Sequence, residues 1–287
     1  MAGRQAETSP NELNGPNTSG EFEAVRLASQ CGVAEMEGFL YASEPKVLHA
    51  LVANPHFGER EAVLLLNRRD LPASVIQDLA NLRPILSSYA VRRALTKHPS
   101  TPLRIALGQL KFLYLFDLVS VTLQPGVPAE VKRASEELIL AQVPKLAVGQ
   151  RITLAKRGSA RLAASLLQGE NIQIIRAVLD NPFLTEAALL PVLNRSDCAP
   201  KIVEGIASHP KWGLRYDIRL ALLRKSSLSV ARALAILPGL KPQDAQANVS
   251  RPSSHPSSKK VSFESPEGLQ YRDLVVPLAL QPRPMTD

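Results

Sequence analysis

The chain has 287 residues, of which 45% are hydrophobic but only 5% aromatic, and it carries a formal net charge of +8. That length admits one large domain or two small ones. Two cysteines far apart, Cys31 and Cys198, exclude a disulfide scaffold and fit a reducing compartment, so a cytoplasmic location is expected.

Met1–Glu23 has four Glu, one Arg and no apolar core, which reads as a disordered N-terminal tail and not a secretory leader. From Ala24 the pattern turns helical, with Val25, Leu27, Ala28, Met36, Phe39 and Leu40. A phrase then recurs in which an apolar helix end runs into Asn-Pro or His-Pro: Asn54-Pro55, His98-Pro99, Asn181-Pro182 and His209-Pro210. Proline drives the residue before it out of the helical region, so each pair stops a helix. Between the stops, apolar residues such as Val63-Leu64, Leu66, Val75-Ile76 and Leu79 keep helical spacing. Leu103–Leu123 reads as one long helix bearing Phe112, Tyr114 and Phe116. Aromatics at helical spacing predict a buried central helix, the rival being an exposed docking stripe. The most apolar part, Leu113–Leu123, is interrupted by Asp117 and is well short of the ~20 residues a spanning helix needs, so no membrane span is expected. The helical region closes near Leu240. Residues 245–287 are Ser/Pro-rich and read as a disordered C-terminal tail ending in an apolar island, Leu274–Leu280.

The helical region repeats itself. Laid over its own later half, Ala50–Lys97 falls on Ala177–Arg224 without a gap, with 13 identities in 48 positions. Among them are Asn54/Asn181, Arg68/Arg195, Asp70/Asp197, Tyr89/Tyr216 and Arg92/Arg219. Spacing the breaks by their prolines gives a unit of roughly 42 residues, in the range of helical solenoid repeats. The expectation is therefore an all-α fold: a solenoid of about four HEAT/armadillo-like units over 24–244, with tails at 1–23 and 245–287.

The Asn-Pro breaks and the phrases Arg93-Ala94-Leu95 and Arg176-Ala177-Val178 resemble bacterial HEAT-like repeat proteins. They are also similar to the leucine-rich-repeat-variant family, whose units carry Val-x-x-Asn-Pro-like turns. The resemblance covers about 46–240 and implies a binding platform. The period read from the prolines departs from the shorter unit of the variant family. The cysteine cluster of that family's iron–sulfur site is missing here, so no cluster is carried over.

The tails hold six of 34 Lys+Arg and eight of 26 Asp+Glu, so the helical region carries +10. Repeated basic positions, Arg68, Arg92 and Lys97 with Arg195, Arg219 and Arg224, are the candidate partner-binding ridge. Equivalent positions of a solenoid line one face. The competing account is that Lys and Arg at helix ends offset the helix dipole. Asn67, Asn194, Asp70 and Asp197 suit turn and cap chemistry, as do His98 and His209 before proline. Metal-ligand spacing, phosphate loops and nucleophile elbows are not found, so no catalytic residue, metal or cofactor is expected. HEAT-like DNA glycosylases are similar in fold, and such a reading would rest on Trp212 and Asp217. The sequence thus points to a non-enzymatic protein-binding scaffold for a partner with acidic character. Nucleic-acid binding along the same ridge is the alternative, and a small-molecule ligand is not expected.

Overall fold

The structure is a computed structural model and describes residues 18–241, 243–244, 258–264 and 270–277. It divides into two compact units, Met1–Leu138 and Ile139–Asp287. In the first, α1 (Thr18–Gln30) and α2 (Val33–Phe39) are followed by α3 (Pro45–Val52), α4 (Glu59–Leu66) and α5 (Ala73–Asn81). Then come α6 (Arg83–Leu86), α7 (Tyr89–Lys97), α8 (Leu103–Leu110), α9 (Leu115–Leu123) and α10 (Ala129–Gln142), within which the unit boundary falls. The second contains α11 (Val148–Arg157), α12 (Ala160–Ser165), α13 (Ile172–Leu179), α14 (Glu186–Asn194), α15 (Pro200–Ser208), α16 (Tyr216–Leu223) and α17 (Val230–Ile236). Every regular element from Thr18 to Leu240 is helical.

α3 shows why these segments fold as they do. Pro45 occupies its first turn, where a missing N–H costs nothing. Val47, Leu48, Leu51 and Val52 form one buried face, each contributing about 1.5–3 kcal/mol by leaving water. Asn54-Pro55 then ends it. Successive helices alternate between two packing series. In the first unit α1 packs on α3 and α3 on α5, while α4 packs on α7 and α7 on α9. In the second, α11, α13 and α15 stack in one series and α12, α14 and α16 in the other. In each unit, helices that are not neighbours in sequence thus pack in two series.

The duplication carries α3 onto α13 and α5 onto α15 with matching bounds, and the first residues of α7 and α8 onto those of α16 and α17. Helix pairs begin at Pro45, Ala73 and Leu103, and again at Ile172, Pro200 and Val230. The structural unit is therefore a helix pair of about 30 residues, still within the span of helical repeats, and shorter than the proline spacing implied. The prolines misled because Asn54-Pro55 follows the first helix of its pair while His98-Pro99 follows the second, so they span one and a half pairs.

The expected long helix at Leu103–Leu123 is two helices, α8 and α9, separated by a turn in which Phe112 N–H donates to Gln109 O and Leu113 N–H to Leu110 O. It is not a buried spine: Phe112, Tyr114 and Phe116 are 43%, 71% and 41% exposed. α1 begins at Thr18, inside the segment expected to be disordered, and residues 1–17 lie outside the described ones. Within the expected C-terminal tail, β1 (Ser258–Glu264) and β2 (Gln270–Pro277) pair antiparallel, with Lys260 opposite Val275. The remainder of 245–287, including Leu278–Leu280 of the apolar island, lies outside the described residues.

Candidate functional site

The duplication separates residues that build the frame from those that decorate it. Asn54 donates through Nδ2 to Ala28 O and Cys31 O, both at 3.0 Å, and accepts His56 N–H at 2.8 Å. Its duplicate Asn181 repeats every contact, to Ala155 O, Gly158 O and Phe183 N–H at 2.6, 3.0 and 2.7 Å. The last carbonyls of a helix lack intrahelical partners. An Asn amide, with two donors and an acceptor, closes the end of one helix and the turn of another at once. His98 plays the same part on the other layer: Nε2 donates to Arg68 O at 2.5 Å and Nδ1 accepts Ser100 N–H at 3.2 Å. Its equivalent in the second unit is Lys225, which donates to Arg195 O. Burial holds the His98 pKa below the ordinary imidazole value, against the pull of Arg68 O and Asp70. Tyr89 donates to Asp117 and accepts the Tyr114 N–H, and Tyr216 does so with Asp244 and Lys241.

The basic positions read from the sequence divide along the same line. Arg92 Nε donates to Leu86 O at 2.7 Å, and Arg219 Nε to the equivalent Gly213 O at 3.0 Å. Arg68 donates to Leu40 O and Ala42 O and forks onto both oxygens of Asp70. That fork raises the Arg68 pKa and draws Asp70 below the usual carboxylate range. These three arginines hold backbone, a role that neither the ridge nor the helix-dipole account supplies. Arg195 is half-buried beside Asp197, Cys198 and Gln168 in an open cleft of the second unit, and Arg224 is exposed. Burial pushes the Cys198 thiol up, against the opposing pull of Lys225 and Arg195. Trp212 is 2% exposed and its indole N–H donates to Leu179 O at 2.8 Å. It is a core residue and not a base-stacking side chain.

Lys97 keeps a different company. Together with Arg69 and Arg93 it lines a cleft of about 300 Å³ in the first unit, whose apolar wall includes Val63, Leu66 and Ala94. Asp117 lies 3.8 Å from Arg93 and 3.9 Å from Lys97. Burial draws the Lys97 pKa down, Asp117 raises it and Arg93 lowers it again. Beside this cleft the Tyr114 ring packs on Tyr89 at 4.5 Å; elsewhere in the first unit the Arg92 guanidinium lies 3.9 Å over Phe112. Such a cation–π contact contributes roughly 0.5–1 kcal/mol at an exposed site. Among the described residues no group of His, Cys, Asp and Glu could hold a metal ion, and no helix is long and apolar enough to cross a membrane.

Sequence reasoning took the positions that match between the two copies and so passed over Arg69 and Arg93, whose duplicates are Ser196 and Leu220. The mismatches were the available signal. Comparison of the chain with protein-family models, with curated proteins and with solved structures finds no match.

Proposed function

We propose that this protein is a non-enzymatic, protein-binding α-solenoid scaffold that holds a segment of a partner on one helical layer. The observation that carries this reading is the cleft of the first unit, where Arg69, Arg93 and Lys97 stand together and the exposed Tyr114 adjoins them through Tyr89 and Asp117. Stacked helix pairs with short turns are the construction of a solenoid, in which successive equivalent helices present an extended binding face. The spacing of the helix pairs lies nearer the shorter unit of the variant family than the period read from prolines. Aromatic and arginine side chains are the residue types that anchor protein interfaces.

The second reading is nucleic-acid binding, favoured by Arg69, Arg93 and Lys97 in one cleft. Asp117 weakens any anion at these cations, phosphate or carboxylate alike, so what favours a protein is the exposed Tyr114 beside them, an apolar anchor point that phosphate contacts do not use. Affinity capture with the full chain, with and without nuclease, tests the two together with titration of a labelled 20-nucleotide DNA at several salt concentrations. The scaffold reading expects a discrete protein partner that survives nuclease, and oligonucleotide binding no tighter than non-specific association. Nuclease-sensitive capture, with oligonucleotide affinity falling steeply as salt rises, overturns it.

A further inference from the structure

The two copies of the helix-pair frame act as internal controls for one another. Tyr89, Arg92 and Asp117 recur as Tyr216, Arg219 and Asp244 with the same hydrogen bonds, so the frame requires them. Phe112, Tyr114 and Phe116 have Gly239, Lys241 and Gln243 as their duplicates. The backbone N–H of Tyr114 and of Lys241 does the same work, donating to the tyrosine oxygen, so neither side chain is needed for it. At the position of Phe112 the second unit has a glycine packed so close that an added Cβ would lie 1.9 Å from the Arg219 guanidinium. There the frame closes on bare backbone. The first unit instead places a half-exposed phenyl ring under Arg92. Arg69 and Arg93 likewise have uncharged counterparts, Ser196 and Leu220. The aromatics, Arg69 and Arg93 are therefore additions to a frame that folds without them, whereas Lys97 has a basic duplicate in Arg224. Tyr114 adjoins the cleft, because Arg93 and Lys97 reach Asp117, which bonds Tyr89, on which Tyr114 stacks.

We propose that this surface of the first unit, the cleft of Arg69, Arg93 and Lys97 with Tyr114 at its side, docks an acidic peptide segment of a partner protein that carries aliphatic or aromatic anchors beside its carboxylates. The inference rests on the scaffold reading and adds its site and the chemistry of its partner. Charge complementarity selects the occupant. Arg93 and Lys97 share the one carboxylate of Asp117, so the site is left cationic. Partner carboxylates add to Asp117 and complete the pairing of Arg93 and Lys97, while the exposed Tyr114 ring takes an anchor.

The test is a display selection with random 12-residue peptides on the full chain, followed by titration of the enriched peptides against a variant given the second unit's residues. That variant, Arg69→Ser, Arg93→Leu, Phe112→Gly and Tyr114→Lys, uses side chains the frame already accommodates elsewhere, and circular dichroism checks its helicity. The expected result is enrichment of Asp/Glu beside Leu, Phe or Trp, with binding at least tenfold weaker to the variant. A less drastic variant, Tyr114→Ser at a 71% exposed position, weakens it measurably alone. Peptides that bind the variant as well as the wild type overturn this surface and leave the scaffold reading standing. Self-association of the chain, abolished in the variant, overturns the partner by assigning the site to a second copy. Oligonucleotide binding lost in the variant, with no peptide enriched, overturns both readings.

Discussion

Replacing Asn181 with alanine removes three hydrogen bonds from a residue that is 1% exposed. Ala155 O, Gly158 O and the Phe183 N–H are left with one partner fewer in a place water does not readily fill. A buried hydrogen bond contributes about 0.5–1.5 kcal/mol net, and a buried group left unsatisfied costs about 1–3 kcal/mol. Three bonds from one side chain are not independent, so the expected loss is about 3–4 kcal/mol. Asn181→Asp should be at least as damaging, because it keeps the acceptor for Phe183 N–H but turns a carboxylate toward two carbonyl oxygens. Urea unfolding followed by circular dichroism reads the loss. With a slope of about 1–3 kcal/mol/M, the midpoint moves down by at least about 1 M. Hydrogen exchange should place the loosening at α11, α13 and their turns. Asn54→Ala, with the same bonds to Ala28 O, Cys31 O and His56 N–H, should show the same effect in the first unit. An Asn181→Ala loss under about 1 kcal/mol, or an aspartate as stable as the wild type, would refute the assignment of the Asn-Pro turn as the tie between successive helices.

Acidification should weaken the first unit through His98. Its folded pKa lies below the unfolded value because burial disfavours the cation, so the unfolded chain binds the proton first. Its contribution is complete above the unfolded imidazole pKa of about 6.5 and is lost as pH falls from there through the folded value. Thermal unfolding between pH 8 and pH 5 should show this slope, and His98→Gln should flatten it; an unchanged slope would assign the titration elsewhere. Arg68→Lys should cost about 1.5–3 kcal/mol, because an ammonium cannot serve Leu40 O, Ala42 O and both Asp70 oxygens together. Asp70→Asn, at an exposed carboxylate, should lower the midpoint of the same melt much less than Arg68→Lys does. Trp212 is the chain's one tryptophan, so its emission should be blue-shifted in the native state and shift red as the second unit unfolds. Trp212→Phe should lower the melting temperature by leaving Leu179 O unpaired.

The sequence allowed the helical class and the duplication to be read because both rest on local signals: apolar spacing and matching residues at a fixed offset. Asn54 and Asn181 were legible as turn residues because Asn before Pro has few other uses. Their reach back to the preceding helix end, 23 to 26 residues away, was not, since spacing alone does not say which helix ends lie side by side. The break between α8 and α9 was hidden because Lys111-Phe112-Leu113-Tyr114 contains no helix breaker. It was recoverable from the duplicate, where Leu237-Pro238-Gly239 stands at the same offset as Leu110-Lys111-Phe112. The basic ridge took repetition as a sign of function. At Arg92 and Arg219, repetition marks service to a backbone carbonyl common to both copies.

That last point reverses the usual use of an internal repeat. Two copies of one frame must satisfy the same orphan helix ends, so residues shared between them are those the fold constrains most. Arg92 and Arg219 share a bond to the carbonyl six residues back, and nothing about a partner follows from their agreement. Residues that differ while the backbone stays the same are released from that duty. Tyr114 and Lys241 hand the same N–H to the same kind of oxygen and then diverge completely in side chain. Burial cannot account for a tyrosine that is 71% exposed, and the frame cannot require a ring where its duplicate has an ammonium. On the scaffold reading, the residues to test for binding are therefore the exposed mismatches of the duplication. Of these, the first unit brings Arg69, Arg93 and Tyr114 to one cleft and its rim.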